Sequence, residues 1–118
     1  MNKNCTVYKT VDIISKKWSL LILLELYKGK GTKRYTEIKK SIPDITPKIL
    51  SQRLAELKNL GLIEKRTYSE TVPIRCEYSL TESGRSIITI IKDIKKWALK
   101  WKIKNKACET KDCSTCEL

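Results

Sequence analysis

The chain is expected to fold as a mainly α domain carrying one small β-hairpin, an α+β arrangement with a helical core. Three observations carry that expectation. Apolar residues recur at helical spacing through the N-terminal half. Two short runs, LIEKRTY from Leu62 and IRCEYSL from Ile74, then alternate with a period of two. A long helical stripe resumes after Gly84 and continues to Trp101.

Asp12 to Lys28 reads as one helix, apolar nearly all round at its centre through Trp18, Leu20, Leu21, Ile22, Leu23, Leu24 and Leu26. A small domain is expected to cover one face only, which leaves a second side for a subunit contact. Gly29 and Gly31 stop the helix. Thr36 is placed as the N-cap of a short second helix, with Glu37 in its first turn and Ile38 and Ile42 on one side. Pro43-Asp44 turns the chain. Thr46 caps a third helix with Pro47 at its first position, where a missing N–H costs nothing, and Gly61 ends it.

At ~100° per residue the third helix sorts into two faces. Ile49, Leu50, Leu54, Leu57 and Leu60 gather on one; Lys48, Ser51, Gln52, Ala55 and Asn59 gather on the other. Arg53 falls beside the apolar stripe, as a stem-buried or phosphate-facing residue. In the second strand Ile74, Cys76, Tyr78 and Leu80 share the inner face, so Cys76 is expected as a small buried hydrophobe. The last helix carries Ile87, Ile90, Ile91, Ile94, Trp97, Ala98 and Trp101 as a stripe, opposite Lys92, Lys95, Lys96 and Lys100. Part of that stripe suits a core, and its length with two tryptophans suits a dimer contact. Residues 1–104 form the domain; 105–118 have no apolar period and read as a cysteine-containing tail.

Charge narrows the function. There are 25 Lys+Arg against 13 Asp+Glu in 118 residues, a net charge of +12. A polyanion relieves the self-repulsion this creates, and the lysines are spread along the chain instead of being gathered on one membrane-binding helix. A lysine-rich background composition accounts for the same numbers without a partner. No stretch has the length of a membrane span, and MNKNCTVYK lacks the apolar core of a secretory leader. The expectation is a cytoplasmic chain whose five cysteines stay reduced. Histidine is absent, and neither a glycine-rich phosphate loop nor a nucleophilic serine motif occurs, so an enzyme is not expected.

Helix, short helix, turn, helix, hairpin and return helix is the order of a winged helix-turn-helix domain. The blocks DIISKKWSLLILLEL, RYTEIKKSIPDITPKILSQRLAELKNLGLIEKRTY and CEYSLTESGRS closely resemble the HxlR-type family of prokaryotic transcription regulators. The most specific matches are Lys17-Trp18, Gln52-Arg53-Leu54 before Gly61-Leu62-Ile63, and Tyr78-Ser79-Leu80-Thr81 leading to Gly84. The resemblance implies a homodimer joined by N- and C-terminal helices and regulation of nearby genes through a double-stranded DNA operator; the apolar patterns of those helices make Trp18, Ile87, Ile91, Ile94, Trp97 and Trp101 the expected contact residues. It also implies an oxidant- or electrophile-sensing cysteine near the start, a place held by Cys5. The family commonly has Cys-Pro there, and this chain has Cys5-Thr6.

The third helix then reads as a recognition helix. Ser51 and Ala55 permit close approach to base edges, Gln52 can bond adenine with two hydrogen bonds, and Lys48 can reach guanine or phosphate. Thr46 and the helix start suit a backbone phosphate. Lys33 and Arg34 are expected near the duplex backbone, and Arg66 and Arg75 are expected to carry the wing to phosphates or the minor groove. Each of these also fits an ordinary solvated face. Two other function classes fit the pattern: a winged-helix protein–protein module, which needs no +12, and a small metal protein centred on the tail.

Cys108, Cys113 and Cys116 stand as C-x4-C-x2-C, resembling three of the four ligands of a plant-type [2Fe–2S] ferredoxin loop. Zinc or an iron–sulfur cluster needs a fourth ligand, from Cys5, Asp112, solvent or the other subunit. Without metal the same thiols suit disulfides, Cys113–Cys116 or Cys5 to the tail.

Overall fold

The computed structural model describes residues 1–116. Its elements in order are α1 (Thr6–Ile14), α2 (Lys17–Tyr27), β1 (Thr32–Arg34), α3 (Tyr35–Ser41), α4 (Pro47–Asn59), β2 (Ile63–Tyr68), β3 (Arg75–Leu80), α5 (Glu82–Trp101) and α6 (Lys106–Thr110). The strands form one antiparallel sheet in the order β1-β3-β2. The mainly α fold with a small β element is the one the sequence predicts.

The helix expected over Asp12 to Lys28 is two helices. Ser15 closes α1 and Lys16 is extended, with φ −70° and ψ 124°, before α2 begins. The break swings α1 against α2 instead of continuing its axis. The all-round apolar character of α2 has an intramolecular cause. This helix is central, with α1, α3, α4, α5 and the sheet packed around it, and Ile22, Leu23 and Leu26 are sealed from solvent. Its outermost apolar residue is Leu21, which is exposed. The expectation that one small domain covers a single face of this helix is therefore corrected.

The short helix begins earlier than Thr36. Arg34 is its N-cap residue, and the Arg34 N–H donates to Glu37 Oε1 at 3.1 Å. Lys33 and Arg34 belong to β1, a strand the sequence does not announce, which pairs Lys33 with Tyr78 and Arg34 with Glu77. Pairing along the other edge of β3 sets Ile63 opposite Leu80 and Arg66 opposite Glu77, and it fixes the wing. Tyr78 and Leu80 are buried as expected; Cys76 is only half-buried, and Ile74 lies outside the strand and is exposed. The inner face ends two residues sooner than alternation predicts because the loop, not the sheet, holds Ile74.

The return helix packs tightly on the hairpin. Thr81 Oγ1 accepts the Gly84 N–H at 3.2 Å, and a Cβ at Gly84 would collide with the Leu62 carbonyl. Only glycine allows this approach of α5 to the start of β2. The deepest apolar residue of α5 is Ile88, which the predicted stripe omits; Ile87 and Ile91 flank it, partly buried against the core. The stripe beyond them turns outward. Ile94 is 50 % exposed, Trp97 56 % and Trp101 63 %. Trp18 packs against the core instead, with the Lys17 ammonium 4.5 Å from the ring centre.

Candidate nucleic-acid interface

Local chemistry fixes where α4 starts and which way it faces. Thr46 Oγ1 accepts the Ile49 N–H at 3.2 Å, and Pro47 occupies the first turn. Leu50, Leu54 and Leu57 are buried to within 2 % of complete exclusion. Anchors of this kind are worth about 2–5 kcal/mol each against truncation to alanine, so the roll of the helix is set. Gly61, at φ +76°, supplies the left-handed residue that ends it. Lys48, Ser51, Gln52 and Ala55 consequently share an exposed face, with Thr46 exposed at its head.

Tyr35 borders this face, and sequence reasoning passes over it. Its hydroxyl donates to the Pro47 carbonyl at 3.1 Å, and Ser51 Oγ lies 3.5 Å from the Tyr35 hydroxyl oxygen, to which it donates. The start of α3 is thereby tied to the start of α4. The one signal in the sequence is an aromatic with a polar tip shortly before the cap of a helix.

Arg53 takes the stem-buried course. Its Nη1 bonds both Glu56 oxygens, at 3.1 and 3.2 Å, while Lys16 Nζ reaches Glu56 Oε2 at 3.0 Å. The Lys16 hydrogen bond, with Arg53 behind it, holds the Glu56 carboxyl below its ordinary range. This network ties the break between α1 and α2 to the side of the recognition helix. Lys33 is also committed elsewhere. Its ammonium lies 2.9 Å from Glu25 Oε2 and is mostly buried, so it braces β1 against α2 instead of standing free at the duplex backbone.

The other predicted cations stand nearer the surface. Arg34 and Arg66 are exposed, and Tyr68 beside Arg66 raises its guanidinium pKa further above the ordinary value. Arg75 lays its guanidinium 4.6 Å from the centre of the Tyr68 ring, with Nε 3.6 Å from Glu77 Oε1. A cleft of about 510 Å³ lies between the wing loop and α3, lined by Arg34, Tyr35, Val72, Ile74 and Arg75.

All five cysteines are free thiols. Cys5 is half-buried at the N-cap position of α1. The segment after α5 is docked against the end of α2 and against α5. Lys92 Nζ sits 2.9 Å from Asp112 Oδ1 and 2.8 Å from the Tyr27 hydroxyl, and the Gly29 N–H donates to the Ser114 carbonyl at 3.2 Å. Cys113 is buried in this joint, its Sγ 3.9 Å from Lys95 Nζ; Cys108 lies on α6 and Cys116 beyond the turn, both half-buried. Among the described residues no three Cys, Asp or Glu side chains converge as a metal cradle. Glu117 and Leu118, the last residues assigned to the tail, lie outside the described residues. No helix among the described residues is long and apolar enough to cross a membrane.

Comparison with known proteins agrees with this geometry. Residues 13–106 match the HxlR-like helix-turn-helix family. The chain is 41% identical over 93 residues to the uncharacterised HTH-type transcriptional regulator YvaP of Bacillus subtilis (strain 168), covering 79% of this chain and 83% of YvaP. Among solved structures it is similar to the reduced form of the transcriptional regulator YodB from B. subtilis, with TM-score 0.73 and 28% identity over 86% of this chain and 98% of that one. The redox regulator HypR in its oxidized form superposes with TM-score 0.69 and 34% identity, covering 84% of this chain and 99% of HypR. With its recognition helix, wing and framing helices in place, the chain belongs to the HxlR-like helix-turn-helix family and is a transcriptional regulator, not an enzyme.

Proposed function

We propose that this regulator works in the cytoplasm as a homodimer that reads a two-fold duplex operator through α4 and answers oxidants or electrophiles through its cysteines. One observation carries the DNA reading: Lys48, Ser51, Gln52 and Ala55 form an exposed face of little bulk, locked in orientation by the buried Leu50, Leu54 and Leu57. Major-groove readout needs such a face, since base edges admit short side chains and donors at the helix start. A net charge of +12 favours a polyanionic partner over a protein-only module. The outward stripe of Ile94, Trp97 and Trp101 supports self-association through α5.

The thiol reading rests on a different footing. YodB is solved in a reduced form and HypR, a redox regulator, in an oxidized form, and this chain places Cys5 at the head of α1 and Cys113 inside the docked tail. Selection of bound duplexes from a random pool, repeated with and without diamide, tests both parts. A specific duplex bound by the dimer and released or tightened by diamide is expected. Recovery of no preferred sequence overturns the operator reading. Equal diamide responses in wild type, Cys5→Ser and a chain lacking residues 107–118 overturn the sensor reading alone.

A further inference from the structure

The hairpin loop presents an apolar tip that the fold does not use. Val72 is fully exposed, Pro73 follows, and Ile74 is 63 % exposed. Such a cluster at the apex of a loop is unfavourable in water unless something covers it. The loop is also braced. Thr71 Oγ1 lies 3.1 Å from the Tyr68 carbonyl and 3.0 Å from the Pro73 carbonyl, and its single proton can serve either. The brace fixes the turn of backbone that carries the exposed Val72 and Ile74.

What covers the tip follows from its surroundings. Val72, Pro73 and Ile74 line the cleft between wing and α3 together with Arg34, Tyr35 and Arg75. The Tyr35 hydroxyl contacts Pro47 and Ser51 of the reading helix, so the tip and the reading face border one continuous surface. Arg66 adds a further exposed cation on β2. The exposed Arg34 and Arg66 near the hairpin favour a polyanion over an apolar protein surface. A duplex matches both parts, since its phosphates suit the arginines and its grooves admit apolar side chains.

We infer that Val72 and Ile74 form a wedge that enters the minor groove beside the major-groove site, loosens one base step and bends the operator. The inference rests on the DNA-binding reading above and deepens it. Apolar side chains inserted between base steps unstack them in part and kink the duplex. Pyrimidine–purine steps yield most easily, so the wedge adds a sequence preference at a position where no hydrogen bond reads a base. The specificity of this chain then has two sources, Gln52 in the major groove and step flexibility under the wing.

The test uses the full chain and the duplex it selects from a random pool. A circular-permutation gel reads bending, and 2-aminopurine at the flanking step reads unstacking. Wild type is expected to bend the duplex and raise the 2-aminopurine emission. The exposed-loop variant V72S/I74S is expected to keep the major-groove consensus, lose the bend and the emission rise, and bind roughly tenfold more weakly. Undiminished bending and emission in V72S/I74S overturn the wedge and leave the DNA reading standing. A change in the oligomeric state of V72S/I74S without DNA overturns it too, by assigning the tip to a second copy. Failure of wild type to select any duplex overturns the DNA reading, and the wedge with it.

Discussion

Glu25 Oε2 and Lys33 Nζ stand 2.9 Å apart and pin the short strand β1 to the central helix α2. Lys28 shares the carboxylate at 3.1 Å, and all three side chains are mostly buried. Burial pulls the Glu25 pKa up, but the hydrogen bonds from Lys33 and then Lys28 outweigh it, leaving it below the ordinary 4.5. A depressed folded-state pKa stabilises the protein above the unfolded value, and that stabilisation is lost as pH falls through the folded one. Glu25→Gln is expected to cost ~1–3 kcal/mol at neutral pH, because it leaves the mostly buried Lys33 ammonium poorly paired. The deficit should shrink in acid, where wild type loses the same interaction. Urea unfolding at about pH 7 and about pH 3 compares them. A deficit that does not change with pH would show that it does not come from the ionised carboxylate.

Gln52→Ala is expected to weaken binding to the selected duplex by ~1–3 kcal/mol while leaving non-specific binding largely intact. Arg66→Ala should weaken all sequences alike and reduce the salt slope by about one unit for each phosphate the complex no longer neutralises. Lys33→Ala should act differently from both. With its ammonium spent on Glu25, the loss should appear in unfolding free energy more than in the salt slope. Titrations at several salt concentrations separate the three.

The site is legible in the sequence where its causes are local. Thr46-Pro47, the leucine spacing of α4 and Gly61 fix that helix from within, so its exposed face follows without knowledge of the rest of the fold. β1 does not. Thr32, Lys33 and Arg34 show no apolar alternation, and they are a strand only because β3, far along the chain, offers a free edge. The break at Ser15-Lys16 carries no glycine or proline, and the polar Ser15-Lys16-Lys17 stretch reads equally well as the solvated side of one continuous helix. The docked tail depends on long-range polar contacts, Lys92 to Asp112 and Gly29 to Ser114, which leave no periodic trace. The phase of α5 escapes for a related reason: two apolar faces overlap on one helix, and periodicity alone cannot say which one meets the core.

Asp112 is the joint on which tail docking should turn. The Ser114 hydroxyl first, and then Lys92, hold its carboxyl well below the ordinary carboxylate range; Tyr27 and Asp112 in turn hold the Lys92 ammonium above the ordinary lysine value. The acid's contribution is lost only as pH falls through its depressed value, and the amine's only as pH rises through its elevated one. The joint should therefore stay closed between the ordinary values of 3.8 and 10.5. Asp112→Ala is expected to speed alkylation of Cys113 by about an order of magnitude at neutral pH, read site by site by mass spectrometry. Deleting residues 107–118 should leave folding and basal DNA binding intact and abolish most of the diamide response. Unchanged Cys113 reactivity in Asp112→Ala would show that the ion pair does not hold the tail.

The outward stripe of α5 gives the remaining prediction. Ile94 and Trp97 are half or more exposed in the single chain, whereas Ile88 on the same helix is buried in the core. Charge at the exposed pair should therefore spare the fold and strike only an interface that covers it. Ile94→Asp with Trp97→Asp would bury unpaired carboxylates in a dimer, at a cost of several kcal/mol per site. Sedimentation should show a folded monomer with unchanged circular dichroism. Operator affinity should drop to that of a single half-site, since joined reading helices raise each other's effective concentration. Ile88→Asp is the control on the buried face, expected to unfold the chain instead of dividing it. A folded dimer that survives both exposed charges would place the subunit contact elsewhere, with the exposed Val7 and Val11 on α1 as the next surface to alter.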